Sequence, residues 1–93
     1  MKLIKITAIW CMSCIFMNEV LKTIEKDQDK NYETVELDYD LDEAEVKGYD
    51  IGNILPVYIL FDNNQEIARS SGEKSKKELI EFFNTNGAFK WKK

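Results

Sequence analysis

Leu3-Ile4-Lys5-Ile6-Thr7-Ala8-Ile9-Trp10-Cys11-Met12-Ser13-Cys14-Ile15-Phe16-Met17 is the stretch that decides how this chain is read. The near-continuous apolar run from Leu3 to Ile9 predicts a strand buried on both faces, as in the middle of a parallel sheet. Behind the second cysteine, Phe16, Val20 and Ile24 recur at helical spacing with Met17 and Leu21 beside them, predicting one apolar stripe on a helix from Met12 to Lys26. Cys11 and Cys14, the only cysteines of the chain, therefore lie where a strand hands over to a helix. Backbone N–H groups and the helix dipole at such a point favour a thiolate, and two thiols so placed form a dithiol suited to exchange with disulfides.

The rest of the chain follows from local patterns. Asp27 to Asn31 is a polar break, and Thr34 to Tyr39 alternates as a second strand. Leu41 to Tyr49 reads as a short acidic helix with a stop at Gly48. Pro56, the only proline, opens an apolar strand from Val57 to Phe61. Asp62-Asn63-Asn64-Gln65 is a turn that returns the chain as a strand from Gln65 to Ser70, an antiparallel hairpin. Ser75-Lys76-Lys77-Glu78 is a capping box that starts the last helix, whose apolar face is Leu79, Ile80, Phe82 and Phe83. Asn86-Gly87 stops it. The order β-α-β-α-β-β-α predicts an α/β fold, with a four-stranded mixed sheet flanked by helices and parallel pairing of the first two strands. The domain is expected to span residues 1–87, and 88–93, which holds Trp91, reads as a basic, frayed C-terminal tail.

Composition narrows the function classes. At 93 residues the chain suits one domain. A net charge of −4 argues against a general nucleic-acid role. No run approaches the ~20 apolar residues of a membrane span, and Met1-Lys2 opens directly into strand pattern, so a cytoplasmic location is expected, with no membrane partner. Two cysteines and no histidine fall short of the roughly four ligands of a tetrahedral zinc site, so no metal is expected. A structural disulfide closing so short a loop would add little chain-entropy stabilisation, and would not persist in a reducing cytoplasm.

With these elements in place, the chain resembles the thioredoxin-like family over nearly its whole length. Trp10-Cys11-Met12-Ser13-Cys14 matches the family's Trp-Cys-x-x-Cys, and Tyr49-Asp50-Ile51 followed by Ile54-Leu55-Pro56-Val57 resembles the approach to its cis-proline. Gly72 falls where thioredoxins carry a glycine before the last helix. The extra N-terminal strand and helix of full thioredoxins are missing, leaving a glutaredoxin-sized outline. The chain departs from the family in its central Met-Ser, in Glu19 where a helix-kinking proline is usual, and in Leu55-Pro56 lying one residue further from Tyr49. Lys5 stands where the family has a buried acid, and Glu36 where it has a nearby lysine.

The resemblance implies a thioredoxin fold and a thiol–disulfide oxidoreductase acting on disulfide-containing protein substrates, as a monomer recycled by an external reductase and needing no bound cofactor. Cys11 would be the nucleophile and Cys14 the resolving thiol. Trp10 would shield the site and meet the substrate, against the plainer reading of a core aromatic. Leu55, before a cis Pro56, would pair by its backbone with an extended substrate beside Gly72. Lys5 and Glu36 are expected either to form an ion pair beneath the cysteines and modulate them, or to stay apart with Lys5 reaching solvent. A glutaredoxin using glutathione is the nearest rival, opposed by the absence of Cys-Pro-Tyr-Cys and of a Gly-Gly pair before the last helix. The acidic run from Glu33 to Glu45 is read either as a solvated face or as a steering patch that selects basic partners, and a non-catalytic binding module using it is the rival from another class.

Overall fold

The computed structural model describes residues 1–90. Trp91 to Lys93 lie outside the described residues. The first strand, β1 (Lys2–Thr7), is central, as its apolar character requires. Leu3 faces one layer of core with the first and last helices, while Ile4 and Ile6 face a second layer beneath the short helix. Among the described residues the main sheet has four strands in the order β3-β1-β4-β5, with β3 (Glu33–Asp38), β4 (Val57–Asp62) and β5 (Gln65–Ser71). β1 runs parallel to β3 and antiparallel to β4, and β4 pairs antiparallel with β5. The expected four-stranded mixed sheet and the order of its strands and three helices are therefore what the chain adopts. The β4–β5 turn places Asn63 and Asn64 at φ of 52° and 64°, left-handed values that asparagine tolerates.

Helix α1 (Met12–Asp27) buries Cys14, Met17, Leu21 and Ile24 against the sheet. The predicted stripe was displaced by one position, because Phe16 is 57% exposed and Val20 only half-buried. β1 also ends two residues earlier than its apolar run. Ile9, 80% exposed, belongs to the loop that delivers the cysteines. Helix α2 (Glu43–Lys47) is shorter than expected and buries Val46. Helix α3 (Lys76–Thr85) starts at the predicted capping box, with the Ser75 side chain and the Glu78 side chain each accepting the other residue's backbone N–H, both at 3.1 Å.

The end of the chain needs a correction. After Gly87, at φ 71°, the backbone turns inward rather than fraying. Ala88 and Phe89 are buried, and Phe89 stacks near Phe83 and Tyr32. A two-residue strand β6 (Phe89–Lys90) pairs with β2 (Asp29–Lys30), inside the segment read as a polar break. The packed domain thus runs through Phe89, past the expected boundary at 87.

Candidate active site

The cysteines sit at the end of the sheet where β1 gives way to α1. Cys11 is the N-cap of that helix, with extended backbone (φ −90°, ψ 105°), and its Sγ accepts the backbone N–H of Cys14 at 3.1 Å. The loop before it closes through Cys11 N–H to the Ala8 carbonyl at 3.1 Å. Both thiols are free. Cys11 retains 8% exposure against 1% for Cys14. Burial first, and then the hydrogen bond with Cys11, push the Cys14 thiol up to about 12, opposed by the Ala8 backbone. The pair is thus asymmetric: one sulfur at a helix start beside an amide donor, the other buried one turn inside and held protonated.

Cys11 and Cys14 pack with Ala8, and Tyr39 and Leu55 close over them. The Leu55–Pro56 peptide bond is cis, and Pro56 is fully buried. The Pro56 carbonyl accepts the Gly72 N–H at 2.9 Å, which fastens the glycine beside the cysteine loop. Gly72 has φ 84°; an added Cβ would meet Ile54 at an ordinary 3.4 Å, so conformation rather than space favours glycine there. Among the described residues the backbone of Leu55 has no hydrogen-bond partner, leaving a free edge next to Cys11.

Trp10 is a surface residue, 61% exposed, which removes the core-aromatic reading. Its indole N–H donates to Asp40 at 2.6 Å, and its ring meets Tyr39 edge-on at 6.3 Å. Exposed Ile9, Met12, Ile15, Phe16 and Ile54 extend an apolar surface along the segments that flank Cys11. A cavity of about 780 Å³, lined among others by Tyr32, Tyr49 and Phe61, lies away from the cysteines. Of the two thiols, Cys11 is the one that keeps some contact with the surface.

The Lys5–Glu36 expectation divides. The two residues are register partners on β1 and β3, as adjacent strands require. Among the described residues no ion pair joins them: Glu36 instead accepts the Thr7 hydroxyl at 3.3 Å, and Lys5 is half-buried. The reason lies in the sheet, since exposed Glu36 is already turned to a hydroxyl and an ion pair at the sheet surface offers little beyond that. Below the cysteines lies a residue that sequence reading missed. Tyr58, 1% exposed, donates its hydroxyl to Asn18 at 3.2 Å. Burial pushes its hydroxyl upward. Also missed were Tyr39, Asp40 within the acidic run, and Ser13, whose hydroxyl donates to Glu73 at 2.9 Å. None had a local signal, because each acts through a residue far along the chain.

A dithiol at a helix start, a cis-proline beside it, and this sheet order together define a thioredoxin-like redox protein. The thioredoxin family model matches residues 1–85, and the chain belongs to that family. Solved structures agree on the fold. Trxlp from Edwardsiella tarda is 25% identical with a TM-score of 0.77, over 86% of this chain and 78% of that one. Thioredoxin-2 of the malaria parasite, described as a component of its protein secretion machinery, is 23% identical with a TM-score of 0.75, over 90% and 82%. A reduced thioredoxin pre-protein from Schistosoma mansoni is 19% identical with a TM-score of 0.74, over 89% and 75%. No curated protein matches the chain.

Proposed function

We propose that this protein is a thiol–disulfide oxidoreductase that reduces disulfides of other proteins. The observation that carries the reading is the asymmetry of the two thiols: Cys11 at the helix start accepts an amide N–H, while Cys14 is buried and held protonated. Cys11, as thiolate, attacks one sulfur of a substrate disulfide. A Cys11–substrate disulfide forms and the other substrate sulfur leaves as a thiolate, which takes up a proton. Cys14 then gives up its proton and attacks the Cys11 sulfur. The Cys11–Cys14 disulfide forms, the second substrate thiol is released, and the substrate has gained two electrons that the protein has lost. The free backbone edge at Leu55 suits an extended substrate segment added as a strand. An external reductase restores the dithiol, and the protein works as a monomer in the cytoplasm.

The test is insulin reduction with dithiothreitol as the terminal reductant. The expected result is precipitation of the insulin B chain well ahead of the dithiothreitol control, abolished in Cys11→Ser. Turbidity that develops no faster than the control overturns the reading. A parallel arm with glutathione and its reductase distinguishes the glutaredoxin rival, which would turn over there.

A further inference from the structure

Trp10, just before Cys11, and Ser13, in the first turn of α1 just after it, each hold a carboxylate brought from elsewhere. Trp10 donates to Asp40 at 2.6 Å, and Ser13 donates to Glu73 at 2.9 Å. Both acids are exposed. Asp40 comes from the loop after β3, and Glu73 follows Gly72 at the end of β5. The rest of the acidic run is engaged differently. Asp38 accepts the backbone N–H groups of Asp40 and Leu41, Asp42 accepts that of Asp38, and Glu36 accepts the Thr7 hydroxyl. Asp40 is the member of that loop whose carboxylate is turned to the redox motif.

Two of the nearby cations are engaged elsewhere. Lys47 pairs with Glu43 and Arg69 with Glu66. Lys74 lies close to Glu78, adding a last, small pull to a carboxyl held down first by the Ser75 backbone. Among the described residues no ion pair engages Asp40 or Glu73. Carboxylates on a surface say little by themselves, since such faces are common. What points to a ligand is what lies between these two: the Cys11 sulfur, the unpaired backbone of Leu55, and exposed Trp10, Met12 and Ile54.

We propose that Asp40 and Glu73 are specificity residues that select protein segments carrying lysine or arginine beside the reacting cysteine. The proposal rests on the disulfide-exchange reading and names the class of substrate for that same site. The occupant is an extended segment of a disulfide-bearing protein, apolar where it crosses Trp10 and basic on either side of its cysteine. Its cations meet carboxylates already oriented by the motif's own donors, so little side-chain freedom is lost on contact. An exposed pair contributes a factor of up to about five, so two together give a preference of about tenfold for basic over acidic flanks. Such a preference shrinks as salt screens it.

The probes are peptides identical except for Lys, Gln or Glu on both sides of the cysteine, each joined to 2-thiopyridine as a mixed disulfide. Stopped-flow release of thiopyridone reads the rate of attack by the reduced protein. The Lys peptide is expected to react about tenfold faster than the Glu peptide at low salt, with the ratio falling in high salt. Glu73→Gln and Asp40→Asn keep an oxygen for the Ser13 and Trp10 donors but remove the charge. Each is expected to lower the ratio two- to threefold, and the double variant to bring it near one; taking the ratio divides out any general loss of activity. Equal wild-type rates, or a ratio that neither substitution moves, overturn the selectivity alone. Attack on the Gln peptide no faster than that of free glutathione overturns the exchange reading, and this proposal with it.

Discussion

The backbone N–H of Cys14 points at the sulfur of Cys11 from 3.1 Å, so the second cysteine of the motif supplies the amide that holds the first. Cys14's own sulfur, one turn deeper, is shut away from solvent. The two thiols should therefore differ sharply toward an external electrophile. In the reduced protein at pH 8, iodoacetamide should modify Cys11 at least about tenfold faster than Cys14. Mass spectrometry of the digested protein checks this; equal labelling would remove the division of roles.

With the resolving thiol gone, the first intermediate should persist. Cys14→Ser should capture disulfide-bearing proteins as mixed disulfides on Cys11, because no neighbouring sulfur remains to release them. Gel shifts that vanish on adding dithiothreitol are the expected readout. An absence of adducts in Cys14→Ser, with insulin reduction intact in the wild type, would sink the two-step mechanism.

The raised Cys14 thiol links stability to pH. Its ordinary value is near 9, and in the folded reduced protein it rises to about 12. Below pH 9 the proton is bound in both folded and unfolded chains, and this part of the stability is fully present. Above pH 9 the unfolded chain has lost a proton that the folded chain keeps, so stability falls by up to about 1.4 kcal/mol per pH unit. Buried Tyr32 and Tyr58 act in the same direction, but only from about pH 10 upward. Urea melts of the reduced protein between pH 8 and 10 should therefore fall more steeply for the wild type than for Cys14→Ala. Parallel curves would contradict a buried, protonated Cys14.

How far the sequence carried this reading depended on distance along the chain. β1, the start of α1, the Asn63-Asn64 turn and the Ser75 capping box were legible because each is fixed by neighbouring residues. Ile9 and Phe16 were assigned to buried elements because periodicity marks apolar side chains without saying what covers them. Here they are left on the surface around Cys11. The acidic run was legible as a charged face, but not that Asp40 within it, or Glu73 outside it, reaches the redox motif: Trp10 and Asp40 are 30 positions apart, and Ser13 and Glu73 are 60. Only the assembled fold brings them together.

Lys5 offers a test of what adjacency on a sheet is worth. It faces Glu36 in register, yet the carboxylate accepts the Thr7 hydroxyl. A double-mutant cycle with Lys5→Met and Glu36→Gln should give a coupling energy under about 0.3 kcal/mol. Lys5→Met alone should leave stability unchanged or raise it by up to about 1 kcal/mol, since a half-buried lysine is replaced by an apolar side chain of similar length. Urea denaturation measures both. A coupling of about 1 kcal/mol or more would restore the ion pair as a real interaction.

Phe16 and Phe89 reverse their sequence readings, and their truncations should show it. Phe89 is 6% exposed and its ring centroid lies 4.9 Å from that of Phe83 and 6.1 Å from that of Tyr32, so it closes the core under α1 and α3. Phe89→Ala should destabilise the protein by about 3 kcal/mol, the sum of lost burial and the cavity left behind. Phe16 is 57% exposed on α1, and Phe16→Ala should stay within about 0.5 kcal/mol of the wild type. Urea melts of the two variants under identical conditions decide the matter. A Phe89→Ala protein as stable as the wild type would return residues 88–90 to the status of a tail. A large loss in Phe16→Ala would put that ring back in the core.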